Sequence, residues 1–454
     1  MKGGKGTIIA GGLVAIAGVA AAAAPYGLGV SVENELRRTA DRAAASPYVE
    51  AWEVTGYERG YAAATAASRI TLVLPGTDDT VELTVDHAIT HGPYATGGDL
   101  GRVHSTVRVT GGPIASALER MYRRRAPLTV DHAISAGGRM TAELVSPAPE
   151  HAWQGDGGTV SWLGMEGRIV AQDGGSALSY DITIDGLELE ARDDAGRGGI
   201  RGIELSGDQR RHESADVWVG ESTATIGRIG FDEGDASFGL RDVEVRSSAA
   251  IDDGLLQFDT AVEVPEMRVP RYPSVRDLRV RFAAERLAPA FVRDMQALAT
   301  EMEQAGTEAE KQRIARRAMQ SLDWQSFART NPRIRIEPLR LGAAEGAFDA
   351  SLRAELSGVG EDTRVASPFQ LMRYAKAEAS VRTPTALLHA LLAERRAAAS
   401  GTSEAAARAQ AEQRVAGLAE RGLLVLEDGQ ATLEASIDRG SIRINGRSLA
   451  QLMR

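Results

Sequence analysis

The stretch LTVDHAIT at Leu83–Thr90 recurs almost unchanged as LTVDHAIS at Leu128–Ser135. In both copies Leu, Val, His and Ile fall on one side of the chain, and Thr, Asp and Ala fall on the other. This two-residue period is typical of a β-strand that is buried on one face. The two copies therefore predict equivalent strands in a repeated strand-loop-strand unit.

The same alternation extends over a long part of the chain, from about Trp52 to Phe282, and is broken by Gly and Asp turns. Examples are Ile70–Leu74, Ile182–Ile184, Val217–Val219 and Val262–Val264. In most such segments the apolar side chains point one way, while Glu, Arg or Thr side chains point the other way. We therefore expect an antiparallel sheet with one buried face.

Helical patterns interrupt the strands in the second half of the chain. Apolar residues at spacings of three and four between Leu287 and Met302 predict an amphipathic helix of roughly Pro289 to Gln304. Further helices are predicted at about 308–327, 369–374, 385–392 and 404–418. Strands return at about 334–336, 352–356, 433–437 and 442–444.

The N-terminal segment has the length and composition of a membrane anchor. Lys2 and Lys5 precede an uncharged run from Gly6 to Val32, of which residues 7–28 would span the ~30 Å hydrocarbon core. By the positive-inside rule the lysines keep the N-terminus in the cytoplasm and place the rest of the chain outside it. A cleaved signal peptide is the alternative, because the alanines before Pro25 offer A-x-A sites.

These patterns together predict a β-rich α+β fold. We expect a long, mostly antiparallel, curved sheet with a few covering helices, preceded by one N-terminal transmembrane helix. The expected regions are a membrane anchor at 1–32, a β-rich region with the Asp-His repeat at 33–160, a β-meander at 161–285, a helical insertion at 286–330 and a C-terminal α+β region at 331–454.

The composition excludes several classes of function. The chain has 454 residues, which at roughly 150 residues per domain suggests two or three domains. It contains no cysteine, so disulfides, thiolate metal sites and cysteine nucleophiles are excluded. Proteins that bind nucleic acid usually carry an excess of positive charge, whereas the formal net charge here is −10. We therefore expect no nucleic-acid partner.

The repeats supply the best candidates for chemistry, which are Asp86, His87, His91, Asp131 and His132. In one interpretation, side chains from the paired strands hold a divalent metal ion, since imidazole and carboxylate groups bind such ions. In the other, each Asp-His is a polar, cross-strand pair that closes a sheet edge, and it recurs because the structural unit recurs. We favour the second interpretation.

A second candidate is the basic run of Arg123, Arg124 and Arg125, which follows a short helical turn ending at Tyr122. Such a run can contact anionic headgroups or an acidic partner, although a solvated helix end is the simpler interpretation. The sequence has no G-x-S-x-G elbow, no Walker A loop and no H-E-x-x-H motif. We therefore expect no catalytic residues and no cofactor.

Several segments together resemble the YdgA-like family of uncharacterised bacterial envelope proteins, a domain-of-unknown-function family. The segments are Ala24–Gly27 (APYG), Tyr57–Tyr61 (YERGY) followed by Thr65 and Ser68, Asp86–Pro93 (DHAITHGP), Ser367–Met372 (SPFQLM) and Asn445–Leu449 (NGRSL). Tyr61 departs from the family pattern, in which Trp or Phe follows Arg-Gly, but it keeps the aromatic ring. The resemblance covers essentially the whole chain. It implies a single-pass inner-membrane anchor with a periplasmic body, and it implies no catalytic residues.

These observations favour a non-enzymatic envelope protein that binds or scaffolds. A one-sided sheet of many strands must bury its apolar face by closure, by helices or by a ligand. If helices leave part of that face uncovered, it becomes a binding surface for a lipid or another apolar ligand. An envelope protein is the other expected partner, and a metal-assisted hydrolase that uses the Asp-His repeats is the alternative function.

Overall fold

The structure is a computed structural model, and it describes most of the chain from residue 49 to residue 452. The described ranges are 49–73, 79–91, 99–155, 158–192, 196–213, 215–233, 236–269, 276–305, 307–360, 363–365, 367–400 and 403–452. The predicted membrane segment at 7–28 lies outside these ranges. Within them, no helix is both long enough and apolar enough to cross a membrane.

The described chain is a mostly antiparallel β-sheet protein with a few helices, which confirms the predicted class at this level. It divides into two compact units. Unit 1 comprises the described parts of 1–211 and 222–235, and unit 2 comprises the described parts of 212–221 and 236–454. Each unit is built from strands that pair antiparallel with their neighbours in sequence, because short turns connect them.

Unit 1 is a meander of long strands. Its strands are β1 (Val49–Arg59), β2 (Ala63–Val73), β3 (Thr80–His91), β4 (Asp99–Gly111), β5 (Leu128–Ser135), β6 (Met140–Ser146), β7 (Trp153–Gly155), β8 (Gly158–Gln172), β9 (Ala177–Ala191), β10 (Arg197–His212) and residues 222–233 of β11 (Val217–Glu233). Consecutive strands pair from β1 to β6 and from β7 to β10, and β6 also pairs with β8. A 3₁₀ turn at Asp173–Gly175 joins β8 to β9.

The two repeat copies become β3 and β5, which lie on either side of β4 and pair with it. Leu83 and Leu128 occupy equivalent positions and are both fully buried. Asp86 and Asp131 occupy the alternate positions, which point to the other face of the sheet, and both are exposed. The faces that the alternation predicted are therefore confirmed, and the repeat corresponds to two strands that share one neighbour.

One large hydrophobic cluster forms the core of unit 1. It joins aliphatic residues of the sheet to Trp162 and to the short helix α1 (Ala115–Tyr122). Leu118, Met121 and Tyr122 of this helix are buried in that cluster, so α1 closes part of the apolar sheet face. Burial of so many side chains in one cluster is the main source of stability of this unit.

Unit 2 combines a second meander with the remaining helices. Its strands are β12 (Ala236–Asp252), β13 (Leu255–Arg268), β14 (Arg276–Leu287), β15 (Arg333–Ala343), β16 (Gly346–Leu356), β17 (Ala375–Pro384), β18 (Val425–Glu427), β19 (Gln430–Asp438), β20 (Ser441–Ile444) and β21 (Arg447–Ser448), together with the start of β11. Its helices are α2 (Pro289–Gln304), α3 (Glu308–Ser321), α4 (Trp324–Arg329), α5 (Pro368–Leu371), α6 (Thr385–Ser400), α7 (Glu404–Glu420) and α8 (Leu449–Leu452).

Consecutive strands pair antiparallel from β12 to β17, and β17 then pairs with β19. The short β18 folds back on β19, and β19 continues to β20 and β21. The helices α6 and α7 form a pair that is inserted between β17 and β18. The pairing of strands therefore follows their order in sequence, except that β17 pairs with β19 and not with β18.

Helix α2 confirms the predicted segment, and Pro289 occupies its first turn, where a missing N–H costs nothing. The segment predicted as one helix at about 308–327 instead forms α3 and α4. Leu322 adopts an extended backbone conformation, and the Asp323 carboxylate accepts a hydrogen bond of 2.9 Å from the Ser326 N–H. This side-chain cap starts a new helix, so the periodic pattern alone overestimated the length.

The region boundaries that the sequence suggested at 160 and 285 do not coincide with the boundaries of the two units. The first falls within β8, and the second falls within β14. The alternation of apolar and polar residues continues through both points, since the strand continues there.

The buried position of Leu83 leads to a prediction about stability. Replacing Leu83 with Ala removes methyl groups from the core and leaves a cavity, so we expect the free energy of unfolding of unit 1 to fall by ~2–5 kcal/mol. Urea denaturation followed by tryptophan fluorescence measures this change. Val145→Ala is the control, because Val145 is 39% exposed and its truncation should cost only about 0.5 kcal/mol. Equal losses in the two variants would contradict this core assignment.

Candidate functional site

His87 lies half-buried on the inner face of β3 in unit 1, between two neighbouring strands. Ser68 on β2 and Ser105 on β4 reach the ring from both sides: Ser68 Oγ lies 3.3 Å from Nε2, and Ser105 Oγ lies 2.8 Å from Nδ1. Both serines are buried, with 0% and 4% of their surface exposed. A neutral imidazole donates from one nitrogen and accepts at the other, and a serine hydroxyl can do either, so this cluster satisfies all its members.

Burial sets the ionisation of the repeated histidines. The pKa of His87 is lowered to about 4, mainly by desolvation and also by the charge of His132, against the opposing effect of Asp86. Desolvation likewise lowers the pKa of His132 to about 4, and Asp131 opposes that effect. The two rings lie on the same face of the sheet, because their partners Ser105 and Val103 are two residues apart on β4. Both imidazoles are therefore neutral near pH 7.

The aspartates of the repeats lie on the opposite, exposed face and have other partners. Asp86 accepts a hydrogen bond of 2.6 Å from Arg108 on β4. Asp131 lies 2.7 Å from Nδ1 of His104, which is also on β4. The partner of each aspartate is therefore a β4 side chain and not the histidine next to it in sequence. Exposed pairs of this kind contribute little to stability, at most ~1 kcal/mol.

This arrangement separates the residues that the metal interpretation required. His87 and His132 point to the buried face, whereas Asp86 and Asp131 point to the exposed face, as adjacent residues of a strand must. His91 is the last residue of β3, and its side chain lies outside the described set. Across the described side chains, no group of three or more Asp, Glu or His residues is arranged to hold a metal ion.

The edge interpretation also differs from the structure. β3 pairs with β2 as well as β4, and β5 pairs with β4 as well as β6, so neither copy lies at a sheet edge. The Asp-His dipeptides recur because two equivalent strands flank one neighbour. Chemically, the His87 cluster can stabilise and position strands, but its buried hydroxyls are inaccessible to a substrate.

His104 is a residue that sequence reasoning missed. It lies beside a hollow of about 370 Å³ on the exposed face of β1 to β4, which Glu58, Thr65, Asp86 and Thr106 also line. A signal was present: within β4, Arg102, His104, Thr106 and Arg108 alternate with Val103, Ser105, Val107 and Val109. That alternation places His104 on the solvated side, where it can meet a carboxylate of β5.

Arg123, Arg124 and Arg125 follow α1 directly and are all exposed. The Arg123 N–H donates to Glu119 O at 2.8 Å, which completes the end of the helix, and Arg125 lies 3.5 Å from Glu150. The first contact caps the last turn of α1, and the second is a solvent-exposed ion pair. The structure thus shows this run as a solvated helix end; its predicted contact with anionic headgroups stays a prediction.

The most extensive functional candidate is one face of the sheet in unit 2, which we call the apolar face. Residues that pair directly across strands share a face, so the register defines three rows. They are Val245–Val262–Val280–Leu339–Ala350–Val381–Leu433, Phe282–Ile336–Leu352–Ala379–Ala435–Ile444 and Ala249–Phe258–Ala284–Ile334–Ala354–Ala377–Ile437–Ile442. Apart from the buried Ala284, every member of these rows retains some exposure to solvent.

The opposite face of the same strands, which we call the charged face, carries arginine, lysine and carboxylate side chains. One row alternates in sign across five strands as Glu285–Arg333–Glu355–Lys376–Asp438. Arg353 makes two hydrogen bonds of 2.7 Å to Glu337 and projects, with neighbours from this row, around a hollow of about 810 Å³. Charge is therefore confined to one side of this sheet and aliphatic surface to the other.

A model of the family described as "Bacterial protein of unknown function (DUF945)" matches residues 4–451. The chain belongs to DUF945. No curated protein matches it, and no solved structure matches it. The resemblance to YdgA-like envelope proteins is compatible with membership of DUF945, whose description states no activity.

The DUF945 match extends over both units, so the His87 cluster and the apolar face both lie within the region that defines the family. Because DUF945 supplies no catalytic assignment, the functional argument depends on the surfaces themselves. Of these, the His87 cluster is closed and neutral, whereas the apolar face is extended and partly exposed.

The neutral histidines lead to a prediction about acid stability. The unfolded chain takes up protons on His87 and His132 near pH 6.5, whereas the folded chain takes them up only near pH 4. The free energy of unfolding should therefore fall as the pH is lowered from 6.5 to 4, by about 1.4 kcal/mol per pH unit for each histidine. Urea denaturation of unit 1 at a series of pH values measures this slope.

The variant His132→Gln should reduce that slope by about the contribution of one proton. His104→Gln is the matched control, because it removes an exposed imidazole on the opposite face of the same sheet. Identical slopes in the wild type and in His132→Gln would show that His132 is not kept neutral by burial.

Proposed function

We propose that this protein is a non-enzymatic envelope protein that holds the acyl chains of a lipid on the apolar face of unit 2. In this proposal, residues 7–28 anchor the chain in the inner membrane, with the N-terminus in the cytoplasm and the two units in the periplasm. The Lys2–Lys5 pair and the long uncharged run support the anchor and its orientation. The aliphatic side chains of the apolar face support acyl chains as the ligand.

The observation that carries the proposal is the continuity of the three rows. The longest row crosses eight strands, and seven intervals of ~4.8 Å give a length of about 34 Å. That length is close to the ~30 Å hydrocarbon thickness of a bilayer, so extended acyl chains fit along the rows. Three rows at a two-residue spacing give a width of about 13 Å.

The energetics favour an apolar occupant. Aliphatic surface left in water is unfavourable, and each methylene group that is buried on such a surface contributes ~0.8 kcal/mol. About ten methylene groups of one chain would contribute ~8 kcal/mol before the cost of ordering the ligand. The small buried clusters of unit 2, such as that of Ala215, Val217 and Leu256, leave most of the rows outside a closed core.

The composition of the rows favours an acyl chain over a protein partner. The rows contain Val, Ile, Leu and Ala with two phenylalanines, Phe258 and Phe282. Protein interfaces are enriched in Tyr, Trp, Phe, Met and Arg, and of these only the two phenylalanines occur in the rows. Ser247 and Thr260 continue the middle row on β12 and β13 and hydrogen-bond to each other at 3.0 Å, so the rows offer chiefly dispersion contacts, which suit a hydrocarbon ligand.

The metal-assisted hydrolase receives no comparable support. Asp86 and Asp131 point away from His87 and His132, so the four side chains do not converge on one point. The Asp-His repeats are better explained by the two sets of contacts described above.

A charge placed on the apolar face tests the proposal. In Leu352→Glu a carboxylate stands in the middle row, where an acyl chain would have to desolvate it, so bound lipid should fall at least tenfold. Ser351→Glu is the matched control, because the same charge then stands one residue away on the charged face. Lipid extraction and mass spectrometry of the purified full-length proteins give the amount of lipid per chain.

Circular dichroism of both variants checks that they stay folded. Lipid bound equally in Leu352→Glu and Ser351→Glu would show that the apolar face is not the binding surface. A wild-type protein that carries no lipid and takes up none from phospholipid vesicles would contradict the proposal as a whole.

A further inference from the structure

A short exposed turn projects beside one end of the apolar face. Helix α5 carries Phe369, whose surface is 81% exposed, and Met372 follows it and is also exposed. Burial of such exposed apolar surface against an apolar phase is favourable, by ~25 cal/mol per Å². Two of them within one helical turn form a small apolar tip.

The tip is held by a fixed backbone. Gln370 N–H donates to Ser367 O at 3.1 Å, Arg373 N–H donates to Gln370 O at 3.3 Å, and Tyr374 N–H donates to Leu371 O at 2.8 Å. Leu371 and Tyr374 pack against a cluster that contains the buried residues Ala328, Val359 and Val365. The turn therefore directs Leu371 and Tyr374 inwards while Phe369 and Met372 stay outside.

The tip directly precedes β17, which is a strand of the apolar face. Tyr374 O accepts a hydrogen bond of 2.9 Å from Ser357 N–H, and β17 begins at the next residue. Ala375 pairs with Leu356, and this pair continues the apolar face one step beyond the Ala354–Ala377 pair. Leu356 packs in the same cluster as Leu371 and Tyr374, so an acyl chain that leaves the side of the apolar face at β16 and β17 would emerge beside α5.

Basic side chains accompany the tip. Arg364 and Arg373 are exposed, and neither has an ion-pair partner among the residues that the structure describes. An apolar side chain flanked by cations is typical of segments that lie in the interfacial region of a membrane containing anionic lipids.

We infer that Phe369 and Met372 insert into the surface of a phospholipid bilayer, so that α5 is the point at which lipid passes between the bilayer and the apolar face. This inference rests on the proposed function. Arg364 and Arg373 contact the anionic headgroups, and Phe369 and Met372 enter the hydrocarbon boundary. The contact brings the end of the apolar face to the membrane.

The absence of cysteine from the sequence permits a direct test on the full-length protein. Gln370→Cys introduces a unique thiol beside Phe369, which is labelled with an environment-sensitive fluorophore. The protein is reconstituted into vesicles of phosphatidylethanolamine with a minority of phosphatidylglycerol, part of which carry bromine on their acyl chains. We expect the brominated lipids to quench the label at position 370.

Glu427→Cys is the matched control. Residue 427 lies in the β18–β19 hairpin, which meets the other end of β17 because Pro384 pairs with Gln430. Nine steps of ~3.3 Å separate the two ends of β17, or about 30 Å, so a label at 427 should be quenched at least fivefold less. Equal quenching at 370 and 427, or no quenching at 370, would overturn the inference.

A second substitution identifies the inserting side chain. Phe369→Ser in the Gln370→Cys background should reduce the inserted fraction about tenfold, whereas Phe369→Leu should retain most of it, because burial of an apolar side chain supplies the driving force. Unchanged quenching in Phe369→Ser would overturn the role of Phe369.

Lipid content separates this inference from the proposed function. If Gln370→Cys shows no quenching while the purified protein still carries lipid that Leu352→Glu removes, the membrane contact is wrong and the apolar ligand stands. If quenching occurs but no lipid is ever bound, the tip contacts membranes and the proposed function fails.

Discussion

Each strand of an antiparallel sheet sends alternate side chains to opposite faces, and cross-strand pairing carries that alternation from one strand to the next. When every second residue is aliphatic over many strands, one whole face must leave water. Unit 1 meets this constraint with a single large cluster, to which α1 contributes Leu118, Met121 and Tyr122. Unit 2 has only small buried clusters, and its three rows keep part of their surface exposed. The same pattern of residues thus gives a core in one unit and a candidate binding surface in the other.

The polar residues inside unit 1 follow from the same constraint. His87 occupies an apolar position of the alternation, and Ser68 and Ser105 accompany it with one hydroxyl on each side of the ring. A buried polar group is tolerated when its hydrogen bonds are satisfied, and here the ring stays neutral because burial lowers its pKa. The cluster therefore behaves as part of the core, and this behaviour separates it from the exposed carboxylates that adjoin it in sequence.

Local patterns predicted the class of the fold and the face of each residue, since both depend on near neighbours in sequence. The spacing of apolar residues located α2, and the repeat placed Leu83 and Leu128 on the buried side of their strands. Patterns could not predict partners, because these depend on register. Asp131 meets His104 because the pairing of β4 with β5 places the two residues opposite each other, whereas His132 points to the other face. The apolar face was foreseen as a one-sided sheet, but its continuity from Ala249 to Ile442 depends on pairings between distant segments.

The alternating row Glu285–Arg333–Glu355–Lys376–Asp438 has a consequence for how the strands find their alignment. A slip of one residue is penalised by the aliphatic pattern, since it would turn every side chain to the wrong face. A slip of two residues preserves the faces and escapes that penalty. Between β16 and β17 it would, however, bring Glu378 opposite Glu355 in place of Lys376, and like charges repel in such positions. The charged face thus discriminates between strand registers that bury the same aliphatic residues. It does so although its side chains stay in water and bury little apolar surface.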